Sequence, residues 1–199
     1  RTPKILVAQQ QRPVAIDPMV TRRGEKVYYG SEELDEYRGH LYGVALDVGT
    51  TTIVLEMVDL ETGRSCHVES CENPQRFGGS DVMSRISYDG GKYNGELHTA
   101  IINTVNTALR ETCARVGVSR HEIYEILVVG NTTMRELFFG LDVQTIGQKP
   151  YRSATEQEYR DGARETTGLR ESARRLRILA NRNAVVCGVP IIASHVGGD

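Results

Sequence analysis

The sequence lacks a long hydrophobic run, an excess of basic charge and a secretory leader. No apolar stretch in its 199 residues approaches the roughly 18 residues that a membrane span needs. Lys and Arg number 24 against 26 Asp and Glu, so a nucleic-acid binder with a dedicated basic face is not expected. There is no initiator Met and no apolar core of a signal peptide, so we expect the chain to begin inside a longer protein or after processing.

Cysteine is also scarce, with four residues at positions 66, 71, 113 and 187. The C-x4-C spacing of Cys66 and Cys71 could open an iron–sulfur or metal site, but no nearby C-x2-C completes one. The interpretation that we favour is four reduced core thiols in a cytoplasmic protein. His121-Glu122 is not followed by a second His four positions on, so zinc-protease chemistry is not expected.

The strand pattern changes sharply at residue 43. Residues 1–42 are polar and irregular, and we interpret them as a linker or the edge of an upstream domain. Residues 44–48, 53–60 and 65–71 are apolar or β-branched segments separated by short turns. This spacing predicts an antiparallel meander of three strands.

Helical patterns follow the meander. Ser80 is expected to N-cap a short helix, and residues 96–116 carry apolar side chains at three- and four-residue spacing with Gly117 at the end. Residues 126–129 predict a buried strand, which turns into a helix that ends near Gly140. We expect the helices to cover one face of the sheet.

The last part of the sequence is less periodic. Residues 151–183 are charged and rich in arginine, and they are interpreted as a solvated helix or loop insertion. Residues 184–192 are typical of one more buried strand. The whole pattern predicts an α/β fold with a mixed sheet that starts as an antiparallel meander.

The segment Asp47-Val48-Gly49-Thr50-Thr51-Thr52 connects two of the predicted strands. A tight turn offers several backbone N–H groups to one point, which suits a phosphate. Gly49 allows close approach of the backbone, and the Thr hydroxyls add donors. Asp47 at a strand end could hold Mg²⁺ through waters. The alternative is an ordinary hairpin, because the same residues are common in turns.

Two further segments also follow predicted strands. Residues 130–133 open a helix, whose unpaired N–H groups and positive dipole favour an anion, but the spacing alone favours the simpler interpretation that Asn131 or Thr132 is an N-cap. Residues 194–199 contain His195, which could act as a general base at a third loop. No serine or cysteine partner with a triad signature accompanies it.

These segments carry a family resemblance. Residues 43–52 resemble the first phosphate motif of the actin-like ATPase superfamily, which includes sugar kinases and heat-shock chaperones. Residues 73–86, 128–134 and 195–199 then resemble, in the same order, motifs of the reductive activators of corrinoid proteins. The resemblance implies an actin-like (ribonuclease H-like) ATPase half over residues 43–199, with residues 1–42 as the end of the upstream middle domain.

The resemblance also implies ATP and Mg²⁺ as ligands. Asp47 would be the catalytic and metal-binding residue, orienting Mg²⁺ and its waters. The remaining implied contacts would wrap the phosphates or line the same cleft: Gly49, Thr50, Thr51, Thr52, Gly130, Asn131, Thr132 and Thr133. Such catalysis depends on charge neutralisation and positioning.

The full-length relatives implied by the resemblance carry a [2Fe-2S] cluster in an upstream ferredoxin-like domain. They use ATP to drive electron transfer to Co(II) of a corrinoid protein, the expected partner, in a methyltransferase system. A homodimer is compatible with this interpretation. The cluster cysteines, the second phosphate motif and the adenosine-binding half are not in this sequence. We therefore expect this fragment to be inactive as an ATPase by itself.

Two other functions stay open at this point. One is a small-molecule kinase of the same superfamily, which would transfer phosphate to a metabolite. The other is a nucleotide-independent protein-interaction module, in which the Thr-rich turn is only a hairpin. ATP binding separates the module from the two enzymes, and an upstream cluster-binding cysteine set favours the activator over the kinase.

Overall fold

Two β-sheets form the framework of the computed structural model, which describes residues 18–191. A three-stranded antiparallel sheet contains β1 (Val20–Arg23), β2 (Lys26–Tyr29) and β3 (Glu32–Glu36). The larger sheet contains β4 (Tyr42–Val48), β5 (Thr52–Asp59), β6 (Arg64–Glu72), β7 (Ile123–Val129), β8 (Leu169–Ser172) and β9 (Val185–Gly188). Its strand order is β6-β5-β4-β7-β9-β8.

The larger sheet is mixed, as predicted. Strands β4, β5 and β6 pair antiparallel, which confirms the meander. Gly63, with φ 72°, lies in the turn between β5 and β6. Strands β4, β7 and β9 are parallel to one another, so helices must cross over between them. The edge strand β8 pairs antiparallel with β9.

Five α-helices lie in the described residues: α1 (Val82–Asp89), α2 (Glu96–Val116), α3 (Thr132–Phe139), α4 (Ala154–Arg160) and α5 (Ala173–Leu176). The bounds of α2 agree with the prediction, and Gly117 ends it with φ 77°. The predicted cap of α1 is wrong by one residue. Asp81 rather than Ser80 is the N-cap, and its carboxylate accepts a hydrogen bond from the Ser84 N–H.

The main core lies between the large sheet and helices α1, α2 and α3. Alternate residues of β4, including Leu46 and Val48, face this core together with Leu97, Ile101 and Leu109 of α2. A continuous buried face on one side of a sheet is what the period-2 pattern of β4 and the amphipathic pattern of α2 predict. The helices therefore cover one face of the sheet, as expected.

The small sheet packs against other side chains of the large sheet. Val20, Val27 and Leu34 contribute one buried residue per strand and cluster with Tyr124 and Val185. The prediction that residues 1–42 are irregular is therefore wrong for residues 20–36, while residues 1–17 lie outside the described part. Strands of four or five residues with a single buried side chain leave no apolar run for sequence patterns to detect.

Residues 151–183 are also more ordered than predicted. They contain α4, the edge strand β8 and α5, so the segment is part of the sheet rather than a solvated insertion. Several of its buried positions are polar, such as Ser153, Thr155 and Thr167. Apolar burial in this segment is confined to its second half, where Ala173, Leu176 and Ile178 join the main core, and the first half is held by polar contacts, so the hydrophobic periodicity is weak.

None of the helices found in residues 18–191 is both long enough and apolar enough to span a bilayer.

The core of the large sheet gives a direct test of this packing. Leu46 is completely buried at the centre of β4, and Leu46→Ala should lower the free energy of unfolding by about 3 kcal/mol. Leu127 on the neighbouring strand β7 is 40% exposed, so Leu127→Ala should cost about 1 kcal/mol or less. Urea unfolding of both variants measures the difference, and equal losses would contradict the assignment of the core face.

Candidate functional site

The first two predicted site segments meet at one edge of the large sheet. Strands β4, β7 and β9 are parallel, so the loops after their last residues lie at the same edge. The turn of residues 49–51 follows β4, and Gly130 and Asn131 follow β7. Ligands of open α/β sheets characteristically bind in the crevice outside such carboxyl ends.

Asp47 lies near the end of β4 and is exposed to solvent. Its register partners are Val54 on β5 and Val129 on β7, so it lies between both neighbouring strands. Because β4 is paired on both sides, ladder hydrogen bonds fix the backbone from which the Asp47 carboxylate projects. This backbone position gives the rigidity that a metal–phosphate site requires.

The turn after β4 is closed by its own backbone. The Gly49 N–H donates to the Thr52 carbonyl at 3.0 Å. A Cβ at Gly49 would lie 2.7 Å from the same Thr52 oxygen, so no other residue fits without a backbone shift. The glycine requirement inferred from the sequence thus has a physical cause in this turn. Thr51 and Thr52 are exposed and Thr50 is half-buried.

Three consecutive carbonyl groups of the turn are held by side chains and backbone from the next segment. Asn73 donates through Nδ2 to the Gly49 oxygen and through its backbone N–H to the Thr51 oxygen, both at 2.8 Å. Arg85 donates through Nη2 to the Thr50 oxygen at 2.6 Å. The acceptors of the turn are thereby occupied on the protein side.

This anchoring sets the direction of the N–H groups. In a planar trans peptide the C=O and the following N–H point in opposite directions. The N–H of Thr50 therefore points away from Asn73 and the N–H of Thr51 points away from Arg85. Neither N–H has an acceptor among the residues that the structure describes. Adjacent N–H donors of this kind form an anion-binding concavity.

Arg85 is a buried cation at the base of the site. Its side chain is 1% exposed and also donates to the Gly79 oxygen and to Sδ of Met134. Burial lowers the pKa of the guanidinium, and the through-space attraction of Asp81 opposes that shift. Within residues 18–191 no carboxylate lies at ion-pair distance from it.

The second predicted loop is tied to the first. Gly130 has φ 152°, and a Cβ there would lie 2.7 Å from the Val48 carbonyl oxygen. Asn131 caps α3 by accepting a hydrogen bond from the Met134 N–H, and its Nδ2 donates to Oγ1 of Thr50 at 3.3 Å. Asn131 therefore caps the helix and also connects the two loops.

Thr132 and Thr133, unlike the threonines of the first turn, are buried in the first turn of α3. A ligand could meet them through the helix N-terminus more readily than through their hydroxyl groups. The third predicted loop, residues 194–199 with His195, lies outside the described residues. The chain leads toward it from β9, where the Val189 N–H donates to the Val128 carbonyl oxygen at 3.1 Å.

Two residues important to this geometry were not predicted as site residues. Both lie within residues 73–86, which carry part of the family resemblance, but neither is among the residues predicted to contact phosphate or metal. An arginine next to Ile86 on the apolar side of a short helix is an unusual signal that could have pointed to a buried charge. The partners of Asn73 and Arg85 are backbone carbonyls, which no side-chain pattern reveals.

The donor set around Asp47 suits Mg²⁺. This ion is bound in proteins by one or two carboxylates, with water and substrate phosphates as the other ligands. A single carboxylate next to the turns predicted to bind phosphate fits that description, and within residues 18–191 no group of three or more His, Cys, Asp or Glu is placed so that it could hold a metal ion. Nothing in the described part therefore resembles an all-protein metal cage.

The cysteines do not fit an iron–sulfur cluster. All four are free, and burial raises the pKa of each thiol, which opposes formation of the thiolate that ligates iron. The described residues thus supply no cluster site.

Comparisons with known proteins agree on one family. The family model described as the RACo middle region matches residues 42–199. The corrinoid activation enzyme RamQ of Eubacterium limosum is 32% identical over 113 residues, which are 56% of this chain and 19% of that protein. A solved reductive activator for corrinoid, iron-sulfur protein matches with a TM-score of 0.74 and 32% identity, covering 84% of this chain and 26% of that chain.

The structural match confirms the mixed α/β fold and fits the actin-like ATPase-type half expected from the motifs. The family match begins one residue before Gly43, where the strand pattern starts. The family model calls residues 42–199 a middle region, whereas the resemblance implies that residues 43–199 are the ATPase half. The chain spans 19% of the curated relative and 26% of the solved chain.

The close approach at Gly130 gives a test of the site geometry. Gly130→Ala should lower the free energy of unfolding by about 3 kcal/mol, because a positive φ and a backbone contact at 2.7 Å both oppose a side chain. Gly117→Ala is the matched control, since its φ is also positive but a Cβ would meet open space. It should cost about 1 kcal/mol. Equal costs in denaturant unfolding would contradict the contact with Val48.

Proposed function

Because this chain belongs to the family of the RACo middle region, we propose that it is the phosphate-binding half of an ATP-dependent reductive activator of corrinoid proteins. In the longer protein this half would contact the terminal phosphates of ATP and a bound Mg²⁺. ATP binding and hydrolysis would then drive electron transfer from an iron–sulfur domain to Co(II) of a corrinoid protein. The names of the two relatives support the corrinoid part of this proposal.

The observation that carries the ATP part is the junction of the two turns. Residues 49–52 and residues 130–133 lie at the carboxyl ends of neighbouring parallel strands, and the Asn131–Thr50 hydrogen bond connects them. The N–H groups of Thr50 and Thr51 point away from their protein supports. A polyphosphate has the charge and the acceptor oxygens that such a junction would bind.

The roles of the residues follow from this arrangement. Asp47 would hold Mg²⁺ through its carboxylate and orient the waters of the ion. The backbone N–H groups of the first turn would hold the terminal phosphate oxygens, with Gly49 allowing close approach. The N-terminus of α3 would add a favourable dipole for negative charge. When bound, Mg²⁺ neutralises charge on the phosphates.

We further propose the place of this segment in the longer protein. Residues 43–199 would be the first half of the actin-like domain, and residues 1–42 would connect it to an upstream region. The adenosine-binding half and the [2Fe-2S] domain would lie in the remaining sequence. The small share of the relatives that this chain spans is consistent with this assignment.

Calorimetry with Mg-ATP on the full-length protein tests the nucleotide site. We expect the native protein to bind Mg-ATP and Asp47→Asn to weaken that affinity by at least about tenfold, because the exchange removes the negative charge that would attract Mg²⁺. Asp59→Asn is the matched control. Asp59 lies at the other end of the meander, where it pairs with Tyr42, so its loss should leave the affinity unchanged.

The outcomes separate the candidate functions. Absence of Mg-ATP binding by the full-length protein would refute the proposal and favour an interaction module. Phosphate transfer to a metabolite would favour the kinase. If ATP hydrolysis is coupled to reduction of a Co(II) corrinoid protein, and the coupling is lost in Asp47→Asn, the activator is supported.

A further inference from the structure

The buried charge of Arg85 has no carboxylate at ion-pair distance within residues 18–191, and the inference drawn from it rests on the proposed function. We propose that Arg85 is a positioning residue whose buried positive charge makes the turn of residues 49–52 selective for highly charged phosphate ligands. The guanidinium does not contact the ligand in this account. It acts on the ligand through the Thr50 carbonyl and through its field.

The contrast with a second buried arginine shows why Arg85 is unusual. Arg135 on α3 is completely buried, and its Nη2 lies 2.8 Å from Oε1 of Glu136. That cation therefore has a carboxylate partner. Arg85 has three neutral partners instead, namely two carbonyl oxygens and the sulfur of Met134. Apart from Arg135, it is the one arginine among residues 18–191 that is buried.

A buried cation without a counter-ion is unfavourable for folding unless another group offsets it. Asp81, the carboxylate that attracts it through space, is engaged with the N–H and hydroxyl of Ser84 at the start of α1. The Thr51 N–H points to the side of the turn opposite Arg85, and no residue among 18–191 accepts a hydrogen bond from it. An anion bound there would supply the compensating charge.

The hydrogen bond to Thr50 couples the charge to the donor geometry. Because Arg85 holds the Thr50 oxygen, the same peptide plane presents the Thr51 N–H on its opposite side. A cation next to the carbonyl end of this peptide also stabilises its dipole in that orientation. Charge and direction therefore act together, and both favour a negatively charged ligand over a neutral one.

The test compares Mg-ATP with adenosine, which lacks phosphates, in the full-length protein. Arg85→Gln retains hydrogen-bond donors but removes the charge, and it should weaken Mg-ATP binding about tenfold, the effect of one charge at about 10 Å in a partly screened environment. Adenosine affinity should stay within about twofold of the native value. Arg85→Lys keeps the charge and should retain Mg-ATP affinity within about threefold.

Arg76→Gln is the matched control, because Arg76 lies near the same turn but is exposed and paired with Glu72. It changes the net charge by the same amount and should leave both affinities unchanged. Circular dichroism and thermal melting check that each variant is folded. If Arg85→Gln fails to fold, the role of the buried charge is judged from the Mg-ATP affinity of Arg85→Lys and from the salt dependence of Mg-ATP binding by the native protein.

Several results would overturn the inference. An equal loss for ATP and adenosine in Arg85→Gln would indicate a purely structural role. Unchanged Mg-ATP affinity in that variant, or a tenfold loss in Arg85→Lys, would exclude the buried charge as the cause. These results leave the proposed function intact, whereas a native protein that binds no Mg-ATP would refute the function and this inference together.

Discussion

The anchoring of three successive carbonyl groups in the turn after β4 is the constraint on which the site depends. Asn73 and Arg85 hold the oxygens of Gly49, Thr50 and Thr51 on the protein side. Since each peptide is planar, fixing its oxygen also fixes the direction of the next N–H. Without these donors, the same residues would form a hairpin turn whose N–H groups have no fixed direction. The direction of the N–H groups in this turn is therefore set by the segment after the meander as well as by the turn itself.

The arrangement of the sheet explains why the other elements converge on that turn. Strands β4 and β7 are parallel neighbours, so the turn after one and the helix N-terminus after the other must lie side by side. Met134 in the first turn of α3 receives hydrogen bonds from both Arg85 and Asn73. A displacement of α3 would therefore move Asn73 and Arg85, the two residues that hold the turn after β4. The glycine at position 130 allows this proximity because its missing side chain leaves room for the Val48 carbonyl.

Elements with strong local patterns could be predicted from the sequence, and elements held by long-range polar contacts could not. The meander, α2 and the turn at Gly49 were predicted because alternation, helical spacing and glycine are visible locally. The family resemblance built on these motifs is confirmed by the match to residues 42–199. Arg85 was missed because its partner Thr50 lies 35 positions away. Strands β1 to β3 were missed because each buries a single side chain.

The proposed phosphate site is one-sided. Its donors all come from the edge of one sheet, so a bound polyphosphate would be contacted from one direction while losing its full translational and rotational freedom. The buried charge of Arg85 strengthens attraction without adding a contact on the other side. Affinity in the longer protein would then depend on how closely a second half approaches this edge. If the proposed function holds, approach of that second half would convert the number of phosphates present into a difference in domain closure, the property that an energy-coupled activator would require.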